Sequence, residues 1–360
     1  MERMKIGIVS TYDTLCGMAF FVRDMIKLLK ARNYHVIVFA ERDMLNVPRI
    51  KTIPDVPYYK CWSRRDSNFN QLRDTILQNN VDLIHIVHEP SLFGVDSRFM
   101  ELVFSLKSNN IKISLDIESP LPQFKEYFKK LNADLNVFFT TTEPYDIPNS
   151  IVLPFPVREY PEISREEARK KLELEEEKIA IVTGFMRQAT GIPYILKAYR
   201  DVIKQFPTAK LFFLGGKHPF DSDKWIEEGK ILAGKYLNKN IFFSEKPVSE
   251  EQLILYGAAT NVYLNYRKEY PWKIIGGAAL RAVSSKRPLI AYDCYSVRCL
   301  KHGVIFIKSP KEMSEAVIRI YSDNELEEKL CQEMEKELQY RKWSKVLDKL
   351  EGKWKEIVSS

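Results

Sequence analysis

The chain has 360 residues, of which 45% are hydrophobic and 29% are charged. These values are ordinary for a globular protein, and they exclude collagen-like repeats and intrinsic disorder. At roughly 150 residues per domain, the length predicts two domains. No stretch approaches the roughly 18 uninterrupted apolar residues of a membrane span, and the first five residues lead into a short strand without a signal-peptide core. We therefore expect a cytoplasmic protein.

The 55 Lys and Arg residues exceed the 48 Asp and Glu residues by 7. This mild positive charge suits polyanionic ligands such as nucleoside diphosphates, and it is compatible with peripheral membrane contact. No basic run is interleaved with aromatic residues, so nucleic acid is not an expected partner. The five cysteines include no C-x2-C pair, which predicts reduced thiols and no metal site.

The first half of the chain reads as alternating strands and helices. Residues 5–10 form a short apolar run typical of a buried parallel strand, apolar residues from Met18 to Leu29 recur at helical spacing, and residues 35–40 read as a second strand. Further strands are predicted at 81–88 and 111–116. Residues 1–155 are therefore expected to form a doubly wound α/β domain.

A change in amino-acid composition marks the predicted domain boundary. Prolines crowd the chain between residues 144 and 161, and a charged stretch follows, so residues 156–177 are predicted to be a linker. The pattern then restarts over 178–335, with strands predicted at 178–184, 210–214, 241–243, 261–264, 288–292 and 304–307. Charged amphipathic helices run from about residue 311, and residues 336–360 form the closing segment. In such sheets, ligands bind beyond the carboxyl ends of the strands.

Six segments, in chain order, carry a resemblance to a known family: 16–19, 85–90, 184–192, 246–259, 276–288 and 343–346. Together they resemble the family-four retaining nucleotide-sugar glycosyltransferases. The resemblance implies the GT-B fold, in which two doubly wound Rossmann-like domains face each other across a cleft and the C-terminal helix crosses back to the first domain. It further implies that the first domain binds the acceptor and the second binds the nucleotide sugar.

The activity implied by this resemblance is metal-independent transfer of a sugar, with retention, from a nucleoside-diphosphate sugar to a hydroxyl group of a glycan, lipid or small molecule. No cofactor is expected beyond the nucleotide-sugar co-substrate. The departing diphosphate would need fixed positive groups and backbone N–H donors, and Arg187 lies in a Gly-bounded loop before a helix, where it could bind phosphate. Where the family has a Lys three positions later, this chain has Thr190.

The family's paired acidic residues fall on Lys273 and Arg281 in this chain. Two interpretations stay open: Arg281 pairs directly with a phosphate, or the donor site is degraded, with Glu269 as a substitute acidic contact. The predicted donor-binding residues are Gly184, Arg187, Thr190, Gly215, Val248, Glu269, Lys273, Gly277 and Arg281. The predicted catalytic residues are Asp116, Arg187 and Arg281.

On the acceptor side, Asp116 stands where the family has a candidate catalytic His. Asp116 and Glu118 alternate, so their side chains should share one face of a strand end, where a carboxylate could orient or deprotonate an acceptor hydroxyl. The alternative is a solvated loop acid. The predicted acceptor-binding residues are Cys16, Gly17, His88, Glu89 and Asp116, although a strand-end histidine such as His88 could equally be structural.

Two functions therefore remain open. The first is a glycosyltransferase, and the second is a glycosyltransferase-like nucleotide-sugar-binding or scaffold protein with reduced or lost catalysis. Another two-Rossmann enzyme, such as an epimerase or a phosphorylase, is a weaker third interpretation.

Overall fold

The computed structural model describes residues 4–42, 47–139, 146–174, 177–217, 224–246, 248–268 and 275–360. Its contacts divide the chain into two compact units. Within the described residues, the first unit comprises residues 4–156 and 343–360, and the second comprises 157–268 and 275–342. None of the helices among the described residues has the length and apolar character needed to cross a membrane.

The first unit is a parallel sheet covered by helices on both faces. Its strands are β1 (Lys5–Ser10), β2 (His35–Glu41), β3 (Tyr58–Trp62), β4 (Leu83–His88), β5 (Lys112–Ile117), β6 (Leu135–Phe138) and β7 (Ser150–Val152). Its helices are α1 (Gly17–Ala31), α2 (Asn70–Gln78), α3 (Pro90–Phe93), α4 (Ser97–Ser108), α5 (Lys125–Leu131) and, from the end of the chain, α13 (Trp343–Ser359).

The strand order is β3-β2-β1-β4-β5-β6-β7, and every pairing is parallel. Successive strands are therefore added on one side of β1 up to β3 and on the other side from β4 onward. The position between β1 and β4 is the switch point where doubly wound sheets bind ligands. β4 is buried along its whole length, as its apolar run predicts.

Helices α1 and α13 cover one face of this sheet, and both contribute to its hydrophobic core. Trp354 of α13 is fully buried, and its indole N–H donates to Ser114 Oγ at 3.0 Å. The same hydroxyl lies 3.0 Å from His85 Nδ1. The last helix is therefore fixed to the first unit by apolar packing and by a hydrogen-bonded group on the sheet.

The second unit repeats the architecture. Its strands are β8 (Ile179–Val182), β9 (Lys210–Phe213), β10 (Ile241–Phe243), β11 (Val262–Asn265), β12 (Leu289–Tyr292) and β13 (Val304–Ile307). Its helices are α6 (Arg165–Leu172), α7 (Ile192–Gln205), α8 (Lys224–Ala233), α9 (Glu250–Ala259), α10 (Gly277–Ser284), α11 (Pro310–Ser322) and α12 (Asn324–Arg341).

The second sheet has the order β10-β9-β8-β11-β12-β13, again with every pairing parallel, so its switch point lies between β8 and β11. Two doubly wound sheets, with the last helix on the first unit, confirm the predicted fold class. The stretch predicted as a linker, 156–177, contains α6, which belongs to the second unit.

A buried ion pair closes the second unit where the chain leaves it. Arg341, at the end of α12, is fully buried, and its guanidinium lies 2.6 Å from Glu337 Oε1 and donates to the carbonyl of Cys299 at 2.7 Å. Glu337 in turn accepts from the backbone N–H of Lys301 at 3.1 Å. Two charges can remain buried here because each is paired and hydrogen-bonded.

Candidate functional site

The loop after β8 is a closed turn built around two glycines. Gly184 and Gly191 have φ angles of 87° and 70°, in the left-handed region that favours glycine. Between them, Thr190 Oγ1 accepts from the backbone N–H of Arg187 at 3.2 Å and donates to the carbonyl of Phe185 at 3.0 Å. The Thr190 hydroxyl therefore holds the loop in shape, and the loop presents Arg187 before the start of α7.

The loops after β8 and β9 are in direct backbone contact. A Cβ atom on Gly215 would lie 1.6 Å from the carbonyl oxygen of Gly184, so no side chain fits at Gly215. The adjoining Met186 N–H donates to the Gly216 carbonyl at 2.8 Å. On its other side, Gly184 approaches Ala278 in the first turn of α10. Two strand ends and one helix N-terminus thus meet beside the switch point of the second sheet, where several predicted donor-binding residues come together.

Helix α10 begins without a side-chain cap. Its N-cap residue is Gly276, and the next residue, Gly277, is exposed and has no atom near its Cβ position. The guanidinium of Arg267 lies against Gly276, with Nη1 2.9 Å from the position that a Cβ would occupy. An uncapped helix N-terminus beside a cation suits an anion. The sequence reasoning missed Arg267, although its place just after β11 could have indicated it.

Lys268, the next residue, was also missed. Its Nζ lies 4.1 Å from the centre of the Tyr194 ring at the start of α7, and that ring stacks on Tyr266. The predicted residues Glu269 and Lys273 lie outside the described residues. Val248 lies just before Ser249, whose hydroxyl caps α9 in a capping box with Gln252.

Arg281 is engaged by groups of this chain. It lies in the second turn of α10, and its Nη1 donates to Tyr160 Oη at 2.8 Å and lies 3.5 Å from Glu250 Oε1. Glu250, in the first turn of α9, is also paired with Arg158 at 2.9 Å. The cation that replaces an acidic residue of the family is therefore matched by a nearby carboxylate. Its role as a phosphate ligand stays a prediction.

In the first unit, the loop after β1 ends at Cys16, which caps α1. The Ala19 N–H donates to Cys16 Sγ at 3.4 Å, and Thr11 Oγ1 lies 3.0 Å from the same sulfur. Gly17 is exposed and has open space around its Cβ position. All five cysteines are free thiols, as predicted.

His88 is enclosed by aromatic rings. Phe93, Phe99 and Phe128 have ring centres 4.6 to 5.7 Å from the imidazole, which is fully buried. Burial lowers the pKa of His88 to about 4, so the ring is neutral at pH 7. Neither ring nitrogen has a hydrogen-bond partner of good geometry among the described residues. The surroundings of His88 favour the structural alternative over direct acceptor contact.

Asp116 is inside β5 and fully buried, so the alternative of a solvated loop acid is wrong. Burial, and secondarily the neighbouring Glu118 carboxyl, raise the pKa of Asp116 well above its usual value. Burial and the nearby Glu89 carboxyl raise the pKa of Glu118 to about 8. Burial therefore favours the protonated form of Asp116, which can donate a hydrogen bond, and the catalytic role of Asp116 stays a prediction.

Glu89 begins α3 at the end of β4. One of its carboxylate oxygens accepts from the Ser91 N–H at 3.4 Å, and the other accepts from Ser119 Oγ. Across the described ranges, no three His, Cys, Asp or Glu side chains come together in a way that could hold a metal ion.

Comparisons with known proteins agree with this geometry. Residues 164–337 match the family model described as "Glycosyl transferases group 1", which spans all six strands of the second sheet. Comparison with curated proteins gives no match.

Solved structures match over both units. A sucrose-phosphate synthase from Thermosynechococcus elongatus superposes with a TM-score of 0.73 and 18% identity, covering 99% of this chain and 100% of that one. A glycosyltransferase from Rickettsia africae ESF-5 gives 0.77 and 14%, covering 99% of each chain. HepE from Anabaena, solved in complex with UDP-glucose, gives 0.72 and 11%, covering 98% of this chain and 100% of that one. At these identities, the likeness is one of fold.

Proposed function

We propose that this protein, whose residues 164–337 match the group 1 glycosyl transferases, is a glycosyltransferase that moves a hexosyl group, with retention and without a metal ion, from a nucleoside-diphosphate sugar to an acceptor hydroxyl. The second unit would hold the donor, and the first would hold the acceptor. The comparison structure solved with UDP-glucose supports this choice of donor class.

The observation that carries the proposal is the backbone contact between Gly184 and Gly215 beside the first turn of α10. Three backbone segments meet there with no side chain between the two glycines, and the N-terminus of α10, which has no side-chain cap, would offer its backbone N–H groups to a bound phosphate. Arg187 follows in the same loop and would stabilise the negative charge that grows on the departing diphosphate. The acceptor oxygen would attack the anomeric carbon as the bond to the phosphate oxygen breaks.

The first test is ligand binding. A thermal-shift panel of UDP, GDP, ADP and their sugars should show stabilisation by at least one nucleotide, followed by turnover of that donor in an assay for released nucleotide. Arg187→Ala should weaken nucleoside-diphosphate binding about tenfold, the scale of one charge-assisted bidentate contact. Arg200→Ala, on the exposed face of α7, is the matched control. If no nucleotide binds, the proposal fails.

Two observations favour the second candidate, a nucleotide-sugar-binding protein with reduced or lost catalysis. Arg281 is already held by Tyr160 and Glu250, and the Thr190 hydroxyl is used inside its own loop. The departing diphosphate would then contact fewer cationic side chains than it does in the family that the sequence resembles. Tight binding of a nucleotide sugar, without hydrolysis or transfer to any acceptor, would favour this candidate. The anomeric configuration of any product, read by NMR, tests retention.

A further inference from the structure

Three carboxyl groups lie at the carboxyl ends of β4 and β5 and are referred to below as the carboxyl cluster: Glu89, Asp116 and Glu118. Asp116 and Glu118 are two residues apart, so their side chains share one face. The Glu118 N–H donates to the His88 carbonyl at 3.0 Å, which fixes the end of β5 beside the end of β4. The carboxyl cluster therefore lies beside the switch point between β1 and β4, at the ends of β4 and of the next strand, β5.

A second observation points to a missing hydrogen-bond partner. Neither carboxyl oxygen of Asp116 has a hydrogen-bond partner among the described residues, although the side chain is fully buried. The same is true of Ser10 Oγ at the end of β1. Val9 pairs with Ile86 and Asp116 pairs with Val87, so Ser10 and Asp116 lie on either side of Val87.

Buried polar atoms without partners are rare in folded proteins. Two of them at the ends of β1 and β5, the strands on either side of β4, indicate a place where a ligand, or water that a ligand displaces, supplies the hydrogen bonds. Asp116 offers a donor and an acceptor in its protonated form, and Ser10 offers both in any state. Glu118 keeps 8% of its residue surface exposed, so it is the least buried of Ser10, Asp116 and Glu118.

The charge of the carboxyl cluster restricts what it can bind. After burial, the Glu118 carboxyl is the neighbour that raises the pKa of Asp116, and the Glu89 carboxyl is the neighbour that raises the pKa of Glu118. An incoming phosphate would add negative charge to a place where carboxyl groups already repel one another and retain protons. Hydroxyl groups meet no such penalty, because they can donate to a carboxylate and accept from a carboxylic acid.

We propose that the carboxyl cluster, with Ser10, binds the hydroxyl groups of an uncharged sugar or polyol, and that the acceptor of this glycosyltransferase is therefore not phosphorylated at this end. The acceptor role rests on the proposed function, whereas the binding preference does not. Glu118 accepts a hydrogen bond from the ligand, and Asp116 donates one.

Saturation-transfer NMR on the full chain tests the preference, with glucose, mannose, galactose, myo-inositol, glucosamine and glucose 6-phosphate as probes. At least one uncharged probe should bind, and glucose 6-phosphate should bind at least tenfold more weakly than glucose. Glu118→Ala and Asp116→Ala, which remove the acceptor and the donor, should each weaken the uncharged probe at least fivefold. Glu101→Ala, an exposed substitution on α4, should leave it unchanged.

Several results would overturn the inference. They are binding of glucose 6-phosphate as tight as or tighter than that of glucose, and binding of glucosamine alone among the probes. They also include no binding of any uncharged probe, and binding of the uncharged probe by both cluster variants as tight as by the wild type. Nucleoside-diphosphate binding, measured on the same samples, tests the second unit separately. If no nucleoside diphosphate binds, the proposed function is wrong. The sugar-binding data would still decide whether the carboxyl cluster binds hydroxyl groups.

Discussion

Glu118→Gln should stabilise the protein at neutral pH, and the gain should depend on pH. In the folded chain, burial and Glu89 raise the Glu118 pKa from 4.5 to about 8. The unfolded chain releases this proton near pH 4.5, so the folded state loses stability as the pH rises from there towards 8. Each pH unit contributes about 1.36 kcal/mol, so the loss by pH 7 is about 3 kcal/mol. A glutamine does not titrate and avoids that loss.

The assay is the free energy of unfolding of the wild type and Glu118→Gln, measured by denaturant titration and calorimetry between pH 4 and 8.5. The difference between the two proteins should be smallest near pH 4, should grow by about 3 kcal/mol up to pH 7, and should level off above pH 8. Glu101→Gln serves as the control, because this carboxylate is exposed. A difference that does not change with pH would refute the reasoning, since it would mean that Glu118 ionises normally in the folded protein.

Three further substitutions follow from the packing. Gly215→Ala places a Cβ against the Gly184 carbonyl oxygen, so it should cost about 1–3 kcal/mol and reduce nucleotide binding in thermal-shift assays; near-normal binding would contradict the donor cradle. Gly352→Ala, in open space on α13, should instead raise stability by about 0.5–1 kcal/mol. Arg341→Met strands the buried Glu337 carboxylate and should cost about 3–5 kcal/mol in urea unfolding, with most of the loss recovered when Glu337 also becomes Met.

The continuous apolar strands could be predicted from the sequence, because a parallel strand buried on both faces is a run of apolar residues. β1, β4 and β12 are examples. β3 was missed, since it lies at the edge of the sheet and begins with two exposed tyrosines, Tyr58 and Tyr59. β7 was missed because it has only three residues.

At the site, local patterns predicted local structure. The Gly-bounded loop that holds Arg187 was predicted, and the φ angles of 87° at Gly184 and 70° at Gly191 explain why both positions are glycine. The partners of Arg281 could not be predicted, because Tyr160 and Glu250 are 121 and 31 residues away. The burial of Asp116 was missed for a physical reason: a charged carboxylate is costly inside a strand, and the raised pKa of this carboxyl lowers that cost by favouring its protonated form.

The first unit is assembled from two pieces of chain that the entire second unit separates. Residues 343–360 supply Trp343, Val346, Leu347, Leu350 and Trp354 to a core whose other buried members lie before residue 156. During synthesis, the nascent first sheet must therefore wait, with one apolar face incompletely covered, until the second unit has emerged from the ribosome. The second unit has no such dependence, because its described residues, 157–268 and 275–342, all lie between the two pieces of the first unit. During synthesis, the second unit can therefore complete its core before the first unit does.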